Sequence, residues 1–464
     1  MYCDVALSLT TVCVCVCVCA RVCVCVGLGP VIDLHYGLFN TWHHSLHSSL
    51  LNRLKRSKHR TTHPHEASLF IIPYDNWLYY VMSTLQCNSG KYNVNDYFNV
   101  VATVVNESVY YKRYEGRDHV YIHSAVSDIR ASVSVKNTPE FCVHCFKTCY
   151  WHQPLSHHTW VSVPFPSMFH YTSALVYTPW DTSRSSERVV LATYLGSIKR
   201  GGGRSIRAKI AALCSAAHDC KSIVYKSMSE ANAMTNSEEA VVSEGVSEGV
   251  KEGVKMKSTR PRTHSKRVPQ VLAYYRSVFC LTPPGDDPTR RGLIDALVAG
   301  CIPVTFHPHT LLNQMPLHLT MSEAQDIGVY IPLTVLMSSD NLMDILRSIP
   351  SEVVRYKQQI IERVAPRLQY SVPPLTHMQS HTNEEQWDPP MDDAVNIMLQ
   401  GMSTLATSRI RHYNNTIALV SDGVERDMFG STHPTLRLDL LKKHHKLFAK
   451  YYVLSTCNGS QVLL

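Results

Sequence analysis

The sequence has no G-x-x-x-x-G-K-[ST] motif, which argues against a P-loop nucleotide triphosphatase. It also has no concentrated basic face. Its 45 lysines and arginines against 37 aspartates and glutamates give a formal net charge of +8, spread along the chain. This distribution argues against a nucleic-acid-binding module. Charged residues make up only 18% and apolar residues 45%, so the composition is that of a globular protein long enough for two domains.

The amino end lacks both the basic region of a clear signal peptide and an uninterrupted apolar run of membrane-spanning length. Residues 1–30 are largely alternating Val and Cys, a β-prone pattern interrupted by Arg21. A repeated GT dinucleotide encodes the same alternation. We therefore expect this low-complexity segment to be either a signal anchor or a gene-model artefact.

The sequence does not predict a metal site. Cysteines and histidines are interspersed between residues 142 and 152, but zinc sites usually have two ligand pairs separated by a longer loop. No such distal pair is evident, so free or disulfide-bonded thiols are expected and a metal is not. Cys214 and Cys220 are close enough for a local disulfide in an oxidising compartment.

The most informative stretch is 278–306. Residues 278–282 and 302–306 are short apolar runs typical of buried strands, and a helical pattern lies between them. Asp287 is a suitable N-cap, Pro288 suits the first helical position, and Gly300 sits where the helix should end. The order strand, loop, helix, strand predicts a βαβ unit of a parallel sheet.

This predicted unit can bind an anion. A helix amino terminus after a loop at Gly285 and Asp286 presents free backbone N–H groups. Arg290 and Arg291 lie in the first turn, where the helix dipole disfavours cations, so the pair suggests a phosphate ligand. Asp295, farther along the helix, could reach a ribose hydroxyl. The alternative is an ordinary solvent-facing arginine pair.

Two other segments are candidates for chemistry. Arg207 follows a Gly-Gly-Gly loop at the start of a predicted helix, a second phosphate candidate, although such a loop is more often only flexible. Asp118 and His119 lead into a predicted strand, and either could act as a general base. The alternative is that both are hydrogen-bonded structural residues that fix the turn. A basic run at 53–60 is expected to be a solvated helix end rather than a phosphate or membrane patch.

Residues 279–304 resemble the nucleotide-sugar motif of the exostosin-like glycosyltransferases, glycosyltransferase family 47. That family includes the heparan-sulfate exostosins and the plant xyloglucan galactosyltransferases. The motif runs from Phe-Cys-Leu through Gly-Asp and Arg-Arg to Gly-Cys-Ile-Pro-Val. Asp287 departs from the family, which usually has Ser there. Segments 62–74, 116–119, 341–365 and 393–399 resemble further family motifs and occur in family order.

The resemblance implies an α/β protein of two Rossmann-like lobes, the GT-B architecture. The acceptor lobe would span 31–170 and the nucleotide-sugar lobe 187–402. An insertion at 227–267, with tandem Glu-Gly-Val repeats, is expected to be disordered, and residues 403–464 to be a tail. A closing helix that begins near Asp393 is expected to cross back to the first lobe.

The resemblance also implies the activity. A sugar would pass from a UDP-sugar co-substrate to a hydroxyl of a glycan or glycoprotein, with inversion and with no obligatory cofactor. Gly285, Asp286, Arg290, Arg291 and the distant Arg207 would bind the donor diphosphate, and Asp295 the ribose. The base, which inversion requires in the acceptor lobe, would be Asp118 or His119.

A family member is expected in the Golgi membrane with a lumenal catalytic domain and an N-terminal anchor. Partners would be the donor, the glycan acceptor and another glycosyltransferase in a complex, with no nucleic acid. Sequons at Asn106, Asn414 and Asn458 permit this location. The alternative function is a catalytically inactive relative that binds glycan or partners an active transferase.

Overall fold

The structure is a computed structural model. It describes residues 13–18, 22–27, 31–34, 36–41, 43–54, 56–72, 102–124, 140–142, 160–172, 178, 180–181, 187–198, 204–225, 268–285, 288, 290–312, 315–373, 386–427, 453–455 and 461–463. The predicted insertion at 227–267 lies outside the described residues.

Strands and helices are numbered in chain order. The strands are β1 (Cys13–Val18), β2 (Val22–Gly27), β3 (Val31–Asp33), β4 (Leu38–Phe39), β5 (Arg60–Thr61), β6 (Ala67–Ile72), β7 (His119–His123), β8 (Glu140–Cys142), β9 (Trp160–Ser162), β10 (Val190–Ser197), β11 (Cys220–Tyr225), β12 (Ser277–Thr282), β13 (Ile302–Thr305), β14 (Val329–Tyr330), β15 (Val453–Ser455) and β16 (Gln461–Leu463). The helices are α1 (Leu46–Leu54), α2 (Val109–Arg113), α3 (Arg204–Ala216), α4 (Val268–Tyr275), α5 (Arg291–Val298), α6 (His309–Leu312), α7 (Met321–Asp326), α8 (Leu333–Ser338), α9 (Leu342–Arg347), α10 (Ser351–Val364) and α11 (Ala394–Asp427).

Two parallel sheets organise the chain. In the first half, β6, β7, β8 and β9 pair in that order, every pair parallel. In the second half the order is β11-β10-β12-β13-β14, again all parallel. Helix α2 lies between β6 and β7, and helices lie between successive strands of the second sheet, because parallel strands need a crossover connection. The predicted α/β class with parallel sheets is confirmed, and so is the βαβ unit, which is β12, α5 and β13.

The start of α5 differs from the prediction. The helix begins at Arg291 with Arg290 as N-cap in an extended conformation (φ −154°, ψ 157°), so the prediction of Asp287 as N-cap and Pro288 as first helical residue is wrong. The Pro288 carbonyl accepts a hydrogen bond from Thr310 Oγ1 at 3.1 Å, outside the helix. A tertiary contact therefore holds Pro288 in the loop, although its local sequence suits a helix start.

The end of α5 agrees with the prediction. Gly300 has φ +72°, which an L side chain would resist, and it follows the C-cap Ala299. The N–H of Gly300 bonds to the Leu297 carbonyl, and the N–H of Cys301 bonds to the Ala296 carbonyl. This pairing is a Schellman motif, which satisfies the last carbonyls of the helix and turns the chain directly into β13.

The core joins both halves of the chain. One continuous cluster of buried apolar side chains runs from Leu38 to Ala406 and includes residues of both parallel sheets. Six of the eight residues of α5 are buried, Leu293 through Val298. A helix buried on nearly all sides needs no polar face, which explains the almost wholly apolar sequence of this segment.

The first residue of the basic run at 53–60 is buried rather than solvated. The Arg53 side chain is 2% exposed and donates to Asp388 Oδ1 at 2.8 Å and to the Trp387 carbonyl at 2.9 Å. Its Nε lies 3.6 Å from Asp393 Oδ2. The expected solvated helix end is therefore wrong for Arg53. The cost of its desolvation is offset by acidic residues more than 330 positions away, which the local pattern could not indicate.

Helix α11 crosses from the second half of the chain to the first. Asp393 Oδ1 accepts from the Asn396 N–H at its start, and Tyr413 near its middle donates to Glu115 at 3.3 Å. The predicted return of this helix to the first half is confirmed. The predicted boundary between 402 and 403 falls inside the helix, where Leu405 and Ala406 are buried.

Disulfides and the amino end complete the fold. Cys214 pairs with Cys220, as predicted, and Cys280 pairs with Cys301, which the sequence reading did not anticipate. The second bond links β12 to the residue before β13. Strands β1 and β2 form an antiparallel hairpin of alternating Val and Cys. In the portion of the chain that is described, no helix combines the length and apolarity needed to span a bilayer.

Two buried histidines predict an acid-sensitive fold. Burial lowers the pKa of His170 from 6.5 to about 4 and that of His318 from 6.5 to about 3. Below pH 6.5 the unfolded chain takes up these protons and the native state does not, so the free energy of unfolding decreases as the pH is lowered. The two groups should together cost about 4 kcal/mol between pH 7.5 and pH 5.

Urea denaturation at both pH values measures this loss. His170→Gln should reduce it by about half, whereas His65→Gln, at an exposed site, should leave it unchanged. An equal loss in wild type and His170→Gln would contradict the assignment.

Candidate functional site

The second sheet has a point where the strand order reverses. From β10 the chain goes outward to β11 on one side and then returns to β12 on the other. In open α/β sheets of this order, the carboxyl ends of the two strands at the reversal leave a crevice that binds ligands. Here those strands are β10 and β12. Their following segments carry Arg207 and the loop at Gly285, so the topology brings two distant predicted phosphate sites to one edge.

The loop after β12 is shaped around the side chain of Arg290. A Cβ atom at Gly285 would lie 2.8 Å from Arg290 Nε and 2.9 Å from Cζ. A side chain at position 285 would therefore displace the guanidinium. Thr310, itself buried, fixes the carbonyl of Pro288 in the same loop. The glycine is thus needed for close approach of the arginine, in addition to any contact of its N–H with a ligand.

Tyr194 on β10 is a site residue that the sequence reading missed. It is 1% exposed, and its hydroxyl is buried with no hydrogen-bond partner among the described residues. The hydroxyl lies over Gly196, two residues along the strand, 2.9 Å from where a Cβ would be. The signal available in the sequence was the pair Tyr-x-Gly at the end of an apolar strand, since a glycine there permits close approach.

Two arginines act on the Tyr194 hydroxyl. Burial raises its pKa, and the positive charges of Arg207 and Arg290 oppose that shift. Arg207 is 2% exposed in the first turns of α3, and Arg290 is half-buried at the start of α5. The structure therefore brings together a phenol and two guanidinium groups from three segments at the crevice between β10 and β12. Such a group of hydrogen-bond donors suits an anion.

The neighbouring Arg291 points elsewhere. Its Nη1 donates to the Thr41 carbonyl at 2.9 Å, and its Nε lies 3.2 Å from Asp295 Oδ2. Thr41 belongs to the segment before α1, in the first half of the chain. The two adjacent arginines thus have different surroundings: Arg290 lies over the loop of its own sheet, and Arg291 ties α5 to the amino-terminal half.

Asp295 is buried with both carboxylate oxygens engaged. Oδ1 accepts from Ser167 Oγ at 2.7 Å and from the Met168 N–H at 3.0 Å, while Oδ2 pairs with Arg291. Ser167 and Met168 lie in the loop that leaves β9. In this structure the carboxylate therefore joins the two halves of the chain, and its predicted contact with a ribose stays a prediction.

Asp118 and His119 lie at the amino end of β7. Asp118 is fully buried, with Oδ1 2.8 Å from His119 Nδ1 and Oδ2 accepting from Arg113 at 2.9 Å. His119 stacks on the Phe70 ring with centroids 4.6 Å apart. Gly116, with φ +81°, makes the turn before them. The pair is tightly positioned, and its role as a base stays a prediction.

Asp286 lies outside the described residues, as do Cys145 and Cys149. Within the described ranges, no group of three or more His, Cys, Asp or Glu side chains is arranged to hold a metal ion.

Comparison with known families gives one match that covers most of the chain. The model of the family described as the exostosin GT47 domain matches residues 19–350. The match includes both parallel sheets and the crevice between β10 and β12.

Curated relatives come from Arabidopsis thaliana. The chain is 27% identical over 374 residues to a protein named probable xyloglucan galactosyltransferase GT17, covering 77% of this chain and 70% of the relative. It is 33% identical over 212 residues to probable xyloglucan galactosyltransferase GT19, covering 45% and 42%. With xyloglucan galactosyltransferase MUR3 it shares 27% identity over 213 residues, which is 46% of this chain and 29% of that protein. For the latter two, the match spans less than half of the relative.

The contacts of α5 predict that Asp295 and Arg291 hold the two halves together. Asp295→Ala should lower the free energy of unfolding by about 3–5 kcal/mol because three donors lose a buried partner. Arg291→Ala should cost about 1–3 kcal/mol. Urea denaturation measures both, with exposed Arg355→Ala, expected within about 0.5 kcal/mol of wild type, as control. Asp295→Ala stability equal to that control would refute the connecting role.

Proposed function

The chain belongs to the exostosin GT47 family of glycosyltransferases, and we propose that it transfers a sugar from a UDP-sugar to a hydroxyl group of a glycan. The observation that carries the proposal is the group formed by Arg207, Arg290 and Tyr194 at the reversal point of the second sheet. The relatives named xyloglucan galactosyltransferases support a galactosyl donor and a plant polysaccharide acceptor as the first pair to test.

The chemistry of the leaving group fits this site. When the bond between the sugar and the diphosphate breaks, negative charge grows on the diphosphate, and fixed donors that stabilise that charge lower the barrier. Arg207 and Arg290 supply positive charge from two different helices, and the Tyr194 hydroxyl supplies a donor that is already desolvated. Backbone N–H groups near Gly285 and Asp286 would add to them. The proposal includes no obligatory metal ion.

The remaining parts of the proposal concern the rest of the architecture. We take the two parallel sheets as the two lobes of a GT-B fold, with the donor at the second sheet and the acceptor near the first. Inversion would need a base on the acceptor side, for which Asp118 and His119 are the predicted residues. Asp118 accepts from Arg113 and lies 2.8 Å from His119 Nδ1, so its contribution would be to orient the His119 ring.

A secretory location is proposed on chemical grounds. Cys214–Cys220 and Cys280–Cys301 are disulfides, which form and persist in oxidising compartments. The Golgi, with membrane anchoring through the amino end, is the proposed site, and a complex with another glycosyltransferase remains part of the proposal.

UDP binding to purified protein tests the donor site. Arg290→Ala should raise the dissociation constant for UDP about 10- to 100-fold, because a charge-assisted contact to phosphate is lost. Tyr194→Phe should raise it about 3- to 10-fold, since one neutral donor is removed at almost constant volume. Isothermal titration calorimetry with UDP measures both.

The control is Tyr330→Phe, which removes an exposed phenolic hydroxyl on β14, an edge strand of the second sheet. This variant should bind UDP as the wild type does. Absence of UDP binding to the wild-type protein would refute the proposed function. UDP release from a panel of nucleotide sugars then identifies the donor. Tight UDP binding without release from any sugar nucleotide, with acceptor present, would favour the inactive relative instead.

Arg291→Ala separates two explanations of the arginine pair. Arg291 bonds to Thr41 and Asp295. Arg291→Ala should therefore lower the free energy of unfolding more than Arg290→Ala does, and it should weaken UDP binding less. If Arg291→Ala abolishes UDP binding at wild-type stability, Arg291 contacts the diphosphate directly and the division between the two arginines is wrong.

A further inference from the structure

A cavity distinct from the crevice between β10 and β12 lies beside the start of β6 in the first sheet. It has a volume of about 520 Å³ and opens between the start of β6, the end of α2 and the middle of α11. Its lining is Ala67, Ser68, Arg113, Tyr114, Thr407, Ile410, Arg411, Asn414 and Asn415. None of these residues belongs to the crevice between β10 and β12, so the cavity is separate from the proposed donor site.

The lining is basic and polar, and no acidic side chain belongs to it. Arg411 is exposed on α11, and it makes no hydrogen bond or ion pair with the described residues. Arg113 shares its Nη2 between the Ala67 carbonyl and Asp118, whereas its Nε is buried with no hydrogen-bond partner among those residues. With Asp118 balancing Arg113, the cavity carries one net positive charge from Arg411.

Several neutral groups accompany the two arginines. The hydroxyl of Ser68 is buried and has no hydrogen-bond partner in the described part of the chain. Thr407, Asn414 and Asn415 add a hydroxyl and two amides from successive turns of α11. Solvent does not reach the Ser68 hydroxyl, whereas Thr407, Asn414 and Asn415 are exposed and available to a ligand. Hydroxyl and amide groups at this density match the hydroxyls of a sugar.

We propose that this cavity binds a saccharide unit that carries one carboxylate. The carboxylate would lie beside the guanidinium groups of Arg411 and Arg113, where a single negative charge balances the single net positive charge. The sugar hydroxyls would bond to Thr407 and the two asparagines, beside the ring of Tyr114. A volume of this size accommodates a small ligand of one or two sugar rings. The saccharide part of this inference rests on the proposed function, whereas the anionic part rests on the cavity itself.

The charges around the cavity support the anion. Burial lowers the pKa of Arg409 on α11, and the nearby positive charge of Arg117 lowers it further. Arg117 in turn pairs with Glu115 and lies over the Tyr413 ring. The middle of α11 therefore faces more cationic than carboxylate side chains, so a bound anion would relieve the repulsion between the cations.

Calorimetric titration with glucuronate, glucose and inorganic phosphate tests the proposal on the intact chain. The wild-type protein should bind glucuronate more tightly than glucose or phosphate. Arg411→Gln should weaken glucuronate binding about tenfold or more, because a charged partner of the carboxylate is lost. Asn415→Ala should weaken it by a smaller factor, because one neutral partner of the sugar is lost. Arg355→Gln, at an exposed arginine on α10, should leave it unchanged.

The other outcomes overturn the proposal in distinct ways. Equal binding of glucuronate and glucose would remove the carboxylate from it. Binding of phosphate alone would make the cavity an anion site without sugar recognition. Wild-type affinity in both Arg411→Gln and Asn415→Ala would move the binding site elsewhere, and absence of all binding would refute the proposal. UDP titration of Arg411→Gln, expected to match wild type, shows whether the donor site is intact, so the two sites fail independently.

Discussion

The buried carboxylate of Asp295 is the contact on which the architecture depends. It stands on α5, six of whose eight residues are buried, and it accepts hydrogen bonds from the loop that leaves β9. Arg291, one turn earlier, reaches Thr41 in the segment before α1. A carboxylate in an apolar core is costly unless several donors surround it, and these donors come from the other half of the chain. The two halves are therefore joined at the helix that also opens the donor crevice.

Other buried polar residues repeat this arrangement. Arg53 of α1 meets Asp388 and Asp393. His170 donates from Nδ1 to the Tyr370 carbonyl at 2.6 Å, and its Nε2 lies 2.7 Å from Thr41 Oγ1. Each of these side chains would be destabilising in isolation, and each is satisfied by a segment more than a hundred residues away. Burial of the ionisable groups explains why the pKa of Asp393 is raised and that of His170 lowered. The contacts make the relative position of the two sheets specific rather than merely apolar.

The two proposed binding regions use different edges of the two sheets. The donor crevice lies at the carboxyl ends of β10 and β12, where the strand order reverses and loops leave room for a ligand. The cavity at Ser68 and Arg113 lies at the amino end of β6 and is closed by α11 rather than by a loop. Arg113 stands between this cavity and the Asp118–His119 pair, since it lines the first and bonds to the second. A ligand there would change the surroundings of the predicted base without touching the donor.

The local sequence determined the elements whose signals are themselves local. The βαβ unit at 278–306, the end of its helix at Gly300, the Cys214–Cys220 pair and the arginine at 290 all follow from patterns within a few residues. The tertiary structure alone decided what depends on distant partners. Thr310 bonds to the Pro288 carbonyl and holds it outside the helix. Asp388 pairs with the buried Arg53, and the Thr41 carbonyl binds Arg291 in surroundings that Arg290 does not share. Tyr194 became a site residue only because the sheet order sets β10 beside β12. A pattern along the chain records which groups can bond, but the fold determines which of them meet.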